Sequence, residues 1–185
     1  MSTPNFEIED KQGRRFWISR SIVVIPFTFK VEDNKIYTLI EKRGKSVSDT
    51  GKWCCPCGYL DFDETLEQAC VREVKEETGV ELDVKNVHFI NYNSSPMETR
   101  QNVGMRFICF TQPYTEIDMS KIQTKDEVDD VMWLHIGDFV YGGHMKEMIY
   151  LNRFKMKGLY WAFGHDKLLE DMMIMYYKQQ GIDVK

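Results

Sequence analysis

Residues Gly58–Val80 read GYLDFDETLEQACVREVKEETGV, and the direction its glutamates face decides both fold and chemistry. Thr65 followed by Gln68 fits a capping box, in which hydroxyl and amide satisfy free N–H groups where a helix starts. Gly79 stands where a chain can leave a helix in the left-handed conformation. These signals predict a helix over about Leu66–Thr78. An advance of about 100° per residue then sets Leu66, Ala69, Cys70, Glu73, Glu76, Glu77 and Val80 along one stripe. Its ends suit a core. Its middle is acidic.

A solvated face is the ordinary reading of a charge run. It fits poorly here because the glutamates continue an apolar stripe. Like charges three and four residues apart repel, and burying them without a cation is costly. Arg72, four residues before Glu76, offsets one charge and orients that carboxylate. A divalent ion would offset much of the remainder, and oxygen-only donors favour a hard ion such as Mg²⁺ or Mn²⁺. From the pattern alone, a solvated face and a metal site both stay open.

Outward from this helix the chain alternates strands and turns. SIVVIPFTFKV is rich in β-branched and aromatic residues, DNK supplies a turn, and IYTLIEKRG reads as the hairpin partner. SVSDTGKW is a polar loop. Further strands are predicted near LDVKNVHFINYN, NVGMRFICFTQ and VMWLHI, and the chain from about residue 141 reads as mostly helical. There Leu168, Met172, Met175 and Tyr176 recur at helical spacing, which favours packing onto the domain's own core over a dimer surface. Strands mixed with helices predict an α/β domain with helices covering a mixed sheet.

The chain has 185 residues, which suits one domain with a real core. A net charge of -5 argues against sequence-independent nucleic-acid binding. It leaves room for an anionic small molecule where bound cations invert the local field. The first residues lack a secretory pattern and no apolar run approaches a membrane span, so a cytoplasmic location without membrane association is expected. Five cysteines is an odd count, and reduced thiols suit it. Cys54, Cys55 and Cys57 have no second pair for zinc, and His88, His135, His144 and His165 are scattered. Pro56 and Gly58 describe a turn rather than the helix start that would favour a thiolate. Small buried side chains are the favoured reading.

The spacing is more specific than the stripe. Gly58, five residues, Glu64, seven residues, then Arg72-Glu73-Val74-Lys75-Glu76-Glu77-Thr78-Gly79-Val80 resembles the Nudix box in full, Gly-x5-Glu-x7-Arg-Glu-U-x-Glu-Glu-x-Gly-U with U aliphatic. The resemblance extends more loosely over about 20–140, through strand order, the GKW lead-in and DEVDDVMWLHIGDF downstream. It implies a single Nudix-type domain over 1–185: an α/β/α sandwich with a mixed β-sheet, a core at about 20–140 and a helical C-terminal segment at about 141–185. It also implies a pyrophosphohydrolase that uses Mg²⁺ or Mn²⁺. The substrate would be a nucleoside diphosphate linked to another moiety, and a nucleoside monophosphate would be released.

By the same resemblance Glu73, Glu76 and Glu77 would be metal ligands, and one of them would also orient or deprotonate the attacking water. Arg72 would hold the glutamate geometry, Glu64 would support the metal shell or the box, and Gly58 and Gly79 would shape its ends. Cys57 stands where many members carry a second glycine whose backbone carbonyl binds metal. A carboxylate from a later loop commonly completes such sites; among Asp126, Glu127, Asp129 and Asp130 the choice is Glu127, against a solvated acidic turn. Arg43, Lys45 and Arg100 are candidates for substrate phosphate, against ordinary solvation. Phe27, Tyr59 and Phe62 could stack on a base, although core packing is the commoner use of aromatics. The alternative is a Nudix-fold module that senses a nucleotide without turnover. The complete Arg-Glu-x-x-Glu-Glu core and the lack of a basic helix-turn-helix segment favour the enzyme. Fold and metal motif leave the leaving group open, and a homodimer is the prior for assembly.

Overall fold

Two hydrophobic clusters form on opposite faces of one curled sheet, because its strands alternate their side chains between the faces. The computed structural model describes residues 6–98, 101–141 and 147–185. The central strands are β3 (Ser21–Glu32), β4 (Lys35–Arg43), β7 (Val87–Asn93), β8 (Asn102–Phe110) and β9 (Val128–Tyr141). Helix α1 (Leu66–Thr78) covers one face, where Val24, Leu39, Phe107 and Val131 meet its Ala69, Cys70 and Val74. The other face carries Phe27, Phe29, Ile40, Ile108 and Ile136 and is closed by α3 (His165–Gln179) through Leu169, Met172, Met173 and Tyr177. The result is an α/β/α sandwich on a mixed sheet. β3 lies parallel to β8, while β4 runs antiparallel to both β3 and β9.

Asp33 and Asn34 both take positive φ, 51° and 60°, which suits the two-residue turn between β3 and β4. The hairpin pairs only from Phe29 to Glu32 on β3 and then opens. Pro26, which has no N–H to donate, lies where β3 has left its partner. Two short strands fill the gap: β5 (Trp53–Cys54) pairs with β4, and β6 (Gly58–Tyr59) pairs with β3. The turn Cys55–Cys57 is thereby wedged into the middle of the sheet, directly ahead of α1.

The helix limits and capping box are as the spacing predicts, with the Thr65 hydroxyl accepting from the Gln68 N–H and the Gln68 side chain accepting from the Thr65 N–H. Gly79 ends the helix at φ 71°. The C-terminal part differs from expectation. Besides α2 (Arg153–Lys157) and α3 it contributes β10 (Glu147–Leu151), antiparallel to β9, and β11 (Asp183–Val184), parallel to β10. These extend the sheet, so the segment is not a purely helical appendage. Of the proposed stripe, Met172 is buried and Leu168 and Tyr176 pack against the core, while Met175 stays exposed. A further hairpin, β1 (Phe6–Glu9) with β2 (Arg15–Ile18), stands apart as a two-stranded sheet. Among the described residues no helix is long and apolar enough to cross a membrane.

Candidate functional site

The acidic stripe of α1 is gathered around a single guanidinium. Arg72 forks onto Glu64, with Nη2 at 2.6 Å from Oε1 and Nε at 3.0 Å from Oε2. Its Nη1 reaches Glu73 at 2.8 Å and Glu76 at 3.2 Å, and Nη2 also donates to the Tyr59 carbonyl at 2.8 Å. One cation therefore serves three box carboxylates, fewer positive charges than the cluster would need for balance. The Arg72 guanidinium holds the Glu64 carboxyl below its usual range. Burial pushes Glu73 upward despite Arg72 beside it.

Glu77 lies deeper and does not touch Arg72. Its Oε2 accepts the Cys57 N–H at 2.9 Å. Burial first, then the charges of Glu41 and Glu73, push its carboxyl well up. Glu41, on β4, is the unexpected member: it is 1% exposed, its charge acts on Glu77, and its Oε1 accepts from the Cys54 thiol at 3.4 Å. Burial raises this carboxyl as well, and its Oε2 is sealed from solvent without a partner. Strand parity holds the signal that could have found it. Glu41 shares a face with Leu39 in a buried strand, so a charge there had to meet the helix.

Gly58 leaves room for this cluster. Its backbone needs no left-handed φ, but a Cβ there would collide with the Glu73 carboxyl, lying only 2.5 Å from even the farther oxygen, Oε2. Cys57 also avoids the left-handed region, so the turn forms without a second glycine. Cys54 and Cys55 are fully buried and Cys57 is half-buried; the neighbouring Cys57 thiol and then burial raise Cys54, burial raises Cys55, and Cys57, against the lowering contact with Cys54, is raised by burial. They serve as packing and hydrogen-bonding groups of the wedge.

The oxygen-only donor set, its excess negative charge and the orphaned Glu41 oxygen fit a hard divalent cation. As the side chains stand, no group of three or more His, Cys, Asp or Glu among the described residues is poised to hold a metal ion. Glu64, Glu73 and Glu76 meet at Arg72 instead of at a common vacant point.

A cleft of about 1010 Å³ opens on the α3 face of the sheet. It touches the box at Gly58 and Tyr59 and the Cys57 just before it, and its walls include Arg43, Arg106, Phe163 and Lys167 with Glu98 and Asp171. The box glutamates themselves do not line it; Glu64, Arg72 and Glu76 border a smaller depression of about 440 Å³ along α1. The wedge is thus the physical link between the acidic cluster and the cleft.

The remaining predicted residues are dispersed. Arg43 lines the cleft, donates Nε to the Ser48 carbonyl at 2.6 Å and stacks on Phe163, with 4.8 Å between guanidinium and ring centroid. Lys45 is exposed outside the cleft lining, and Arg100 lies outside the described residues. Glu127 is exposed; its carbonyl accepts the Gly44 N–H at 2.6 Å, and its loop reaches α1 where the Gln123 N–H donates to the Glu76 carbonyl at 2.8 Å. Phe27 is a core residue, Phe62 is fully exposed, and Tyr59 borders the cleft. Sequence reasoning missed Arg106, Phe163, His165 and Lys167 as cleft residues, because only the return of the C-terminal segment over the sheet sets the last three beside Arg106 of β8.

Residues 20–154 match the family described as NUDIX domain. "ADP-ribose pyrophosphatase" of Methanocaldococcus jannaschii is 30% identical over 142 residues, which cover 77% of this chain and 68% of that protein. "Nudix hydrolase 8" of Arabidopsis thaliana is 27% identical over 60% of this chain but only 29% of its own length. The chain therefore spans under a third of that plant relative. The NUDIX domain of Shewanella oneidensis NrtR, solved in complex with ADP ribose, superposes with a TM-score of 0.61 at 21% identity, covering 89% of this chain and 91% of that one.

Proposed function

This chain belongs to the NUDIX domain family, and from that premise we propose that it hydrolyses a diphosphate bond in a nucleoside diphosphate linked to another moiety. A nucleoside monophosphate and the phosphorylated remainder are the products. The observation that carries this reading is the undercompensated cluster of buried Glu73 and Glu77 with the part-exposed Glu76, joined by the Gly58 wedge to a cleft whose lining carries Arg43, Arg106 and Lys167. A diphosphate repels an anionic nucleophile, so its hydrolysis needs charge neutralisation and a placed water.

Glu73, Glu76 and Glu77 would hold Mg²⁺ or Mn²⁺, with the Cys57 carbonyl and Glu127 as further donors. Such an ion, when bound, neutralises phosphate oxygens and acidifies water. The chain's own residues do the rest. Arg72 fixes Glu64, Glu73 and Glu76 in one arrangement. Glu73 or Glu77, whose burial raises their proton affinity, accepts the proton of the attacking water. The water oxygen bonds to phosphorus as the bridging oxygen leaves with the second phosphate. Arg43 offers a guanidinium to the phosphates at the cleft. We read residues 1–185 as one such domain, acting on a small molecule in the cytoplasm.

The test is a panel of nucleoside diphosphate derivatives, ADP-ribose first because the Methanocaldococcus relative is named as its pyrophosphatase and the Shewanella domain was solved with it, with Mg²⁺ or Mn²⁺ and products identified by mass spectrometry. Wild type should release a nucleoside monophosphate from at least one compound, and Glu77→Gln should lose about a hundredfold or more in kcat. Thermal stabilisation by these nucleotides with no product from any of them would replace this reading with the non-hydrolysing sensor.

A further inference from the structure

Arg106 has no use in the fold that the structure can identify. It lies on β8 opposite Ile25 of β3, on the face where the next residue of the same parity, Ile108, is buried under α3. Its Nε is sealed from solvent and has no hydrogen-bond partner, and no carboxylate among the described residues is within ion-pair distance of its guanidinium. Glu98 and Asp171 border the same cleft without engaging it. A buried donor left unmade costs free energy. Arginine with an open fork is suited to planar, bidentate anion recognition.

Cations outnumber carboxylates in the cleft lining, Arg43, Arg106 and Lys167 against Glu98 and Asp171. The first turn of α3, a helix of 15 residues, opens there too, and its N-cap Gly164 supplies no side chain to bond the free N–H groups. His165 adds no compensating charge. Its Nδ1 accepts the Cys55 N–H at 3.1 Å, and burial first, then the positive charges of Arg43 and Arg106, push it down to about 4.

We propose that Arg106, with Arg43 and the start of α3, forms an anion subsite that grips phosphate oxygens of the substrate on the cleft side of the Gly58 wedge. This deepens the hydrolase reading and rests on it for the identity of the substrate. In this arrangement the carboxylate cluster handles the scissile centre, while a metal-independent guanidinium fork supplies part of the binding. Arg106 thereby becomes a specificity-determining residue: compounds without a second anionic group lose its contribution.

Calorimetry with inorganic pyrophosphate in excess EDTA isolates this subsite from any metal. Wild type should bind, and the affinity should fall with added salt. Arg106→Met should lose about tenfold to a hundredfold in affinity. Arg106→Lys should recover only part, because an ammonium keeps the charge but not the fork. The ligand-free melting temperature of Arg106→Met should equal or exceed wild type, since no partner is stranded; a clear drop would assign Arg106 to the fold and overturn the proposal. So would equal pyrophosphate affinity in wild type and Arg106→Met, or no binding to wild type in EDTA. With any substrate found in the panel, Arg106→Met should raise KM more than it lowers kcat. Pyrophosphate binding that depends on Arg106 in a protein inactive across the panel would sustain the subsite and remove the hydrolase reading. Turnover without such binding would do the reverse.

Discussion

Replacing Gly58 with alanine separates the integrity of the acidic cluster from that of the fold. The backbone at Gly58 is outside the left-handed region, so alanine can adopt it. The added methyl would stand 2.5 Å from Glu73 Oε2 and closer still to the other carboxyl atoms, whereas ordinary contact begins at 3.4 Å. The carboxyl must therefore retreat by roughly 1 Å or more, which a flexible side chain can do. Retreat weakens its 2.8 Å bond to Arg72 at a largely buried position, costing about 1–2 kcal/mol. Reduced freedom of the unfolded chain returns about 0.4–1 kcal/mol. Stability should thus change by no more than about 1.5 kcal/mol. Activity is far less tolerant, since a misplacement of about 1 Å in a catalytic array costs on the order of a hundredfold. Urea denaturation read alongside steady-state hydrolysis measures both quantities on one preparation. Activity within threefold of wild type would refute the claim that Gly58 exists to seat Glu73. Destabilisation beyond about 3 kcal/mol would show that the wedge itself had been displaced.

In EDTA, the raised carboxyl of Glu77 sets the sign of a pH effect. An acid whose folded pKa lies above its unfolded one stabilises fully below the unfolded value, near 4.5, and loses that contribution as pH rises through the folded value. Wild type should therefore become less stable relative to Glu77→Gln as pH is raised from about 4.5 toward 8, and, with EDTA removed, Mn²⁺ should raise the melting temperature of wild type more at pH 8 than at pH 5. A pH-independent difference between the two proteins, followed by differential scanning fluorimetry, would contradict this. Gly79→Ala combines a left-handed φ of 71° with a Cβ driven against the Asp118 carbonyl, so about 2–4 kcal/mol should be lost in chemical denaturation. A loss below about 0.5 kcal/mol would mean the helix end relaxes freely.

Local rules made the helix readable. Its limits, the Thr65–Gln68 capping box and the departure at Gly79 depend on hydrogen bonds between residues a few positions apart, and the sequence carries those directly. The acidic stripe followed from helical period alone, and the complete box identified the family without any contact map. Strand β3, its turn and β4 were legible for the same reason: β-branched alternation and a two-residue Asp-Asn turn are local signals. The hairpin of β1 and β2 was missed because strands of four residues carry little periodicity. β10 and β11 were missed because their pairing depends on distant β9 rather than on their own pattern.

What the sequence determined by itself was therefore the helix, the family and the identity of the box carboxylates. Only tertiary structure decided their environment. It set Glu41 against Glu77 across the opened hairpin, leaving a carboxylate oxygen buried without a partner. It turned Gly58 from a turn residue at the start of the box into a space reserved for Glu73. It also brought Arg106 on β8 and the first turn of α3 to one cleft across a large separation in sequence. The reason is physical: burial and electrostatic balance are properties of the space around a side chain, and that space is filled by residues that no local pattern names.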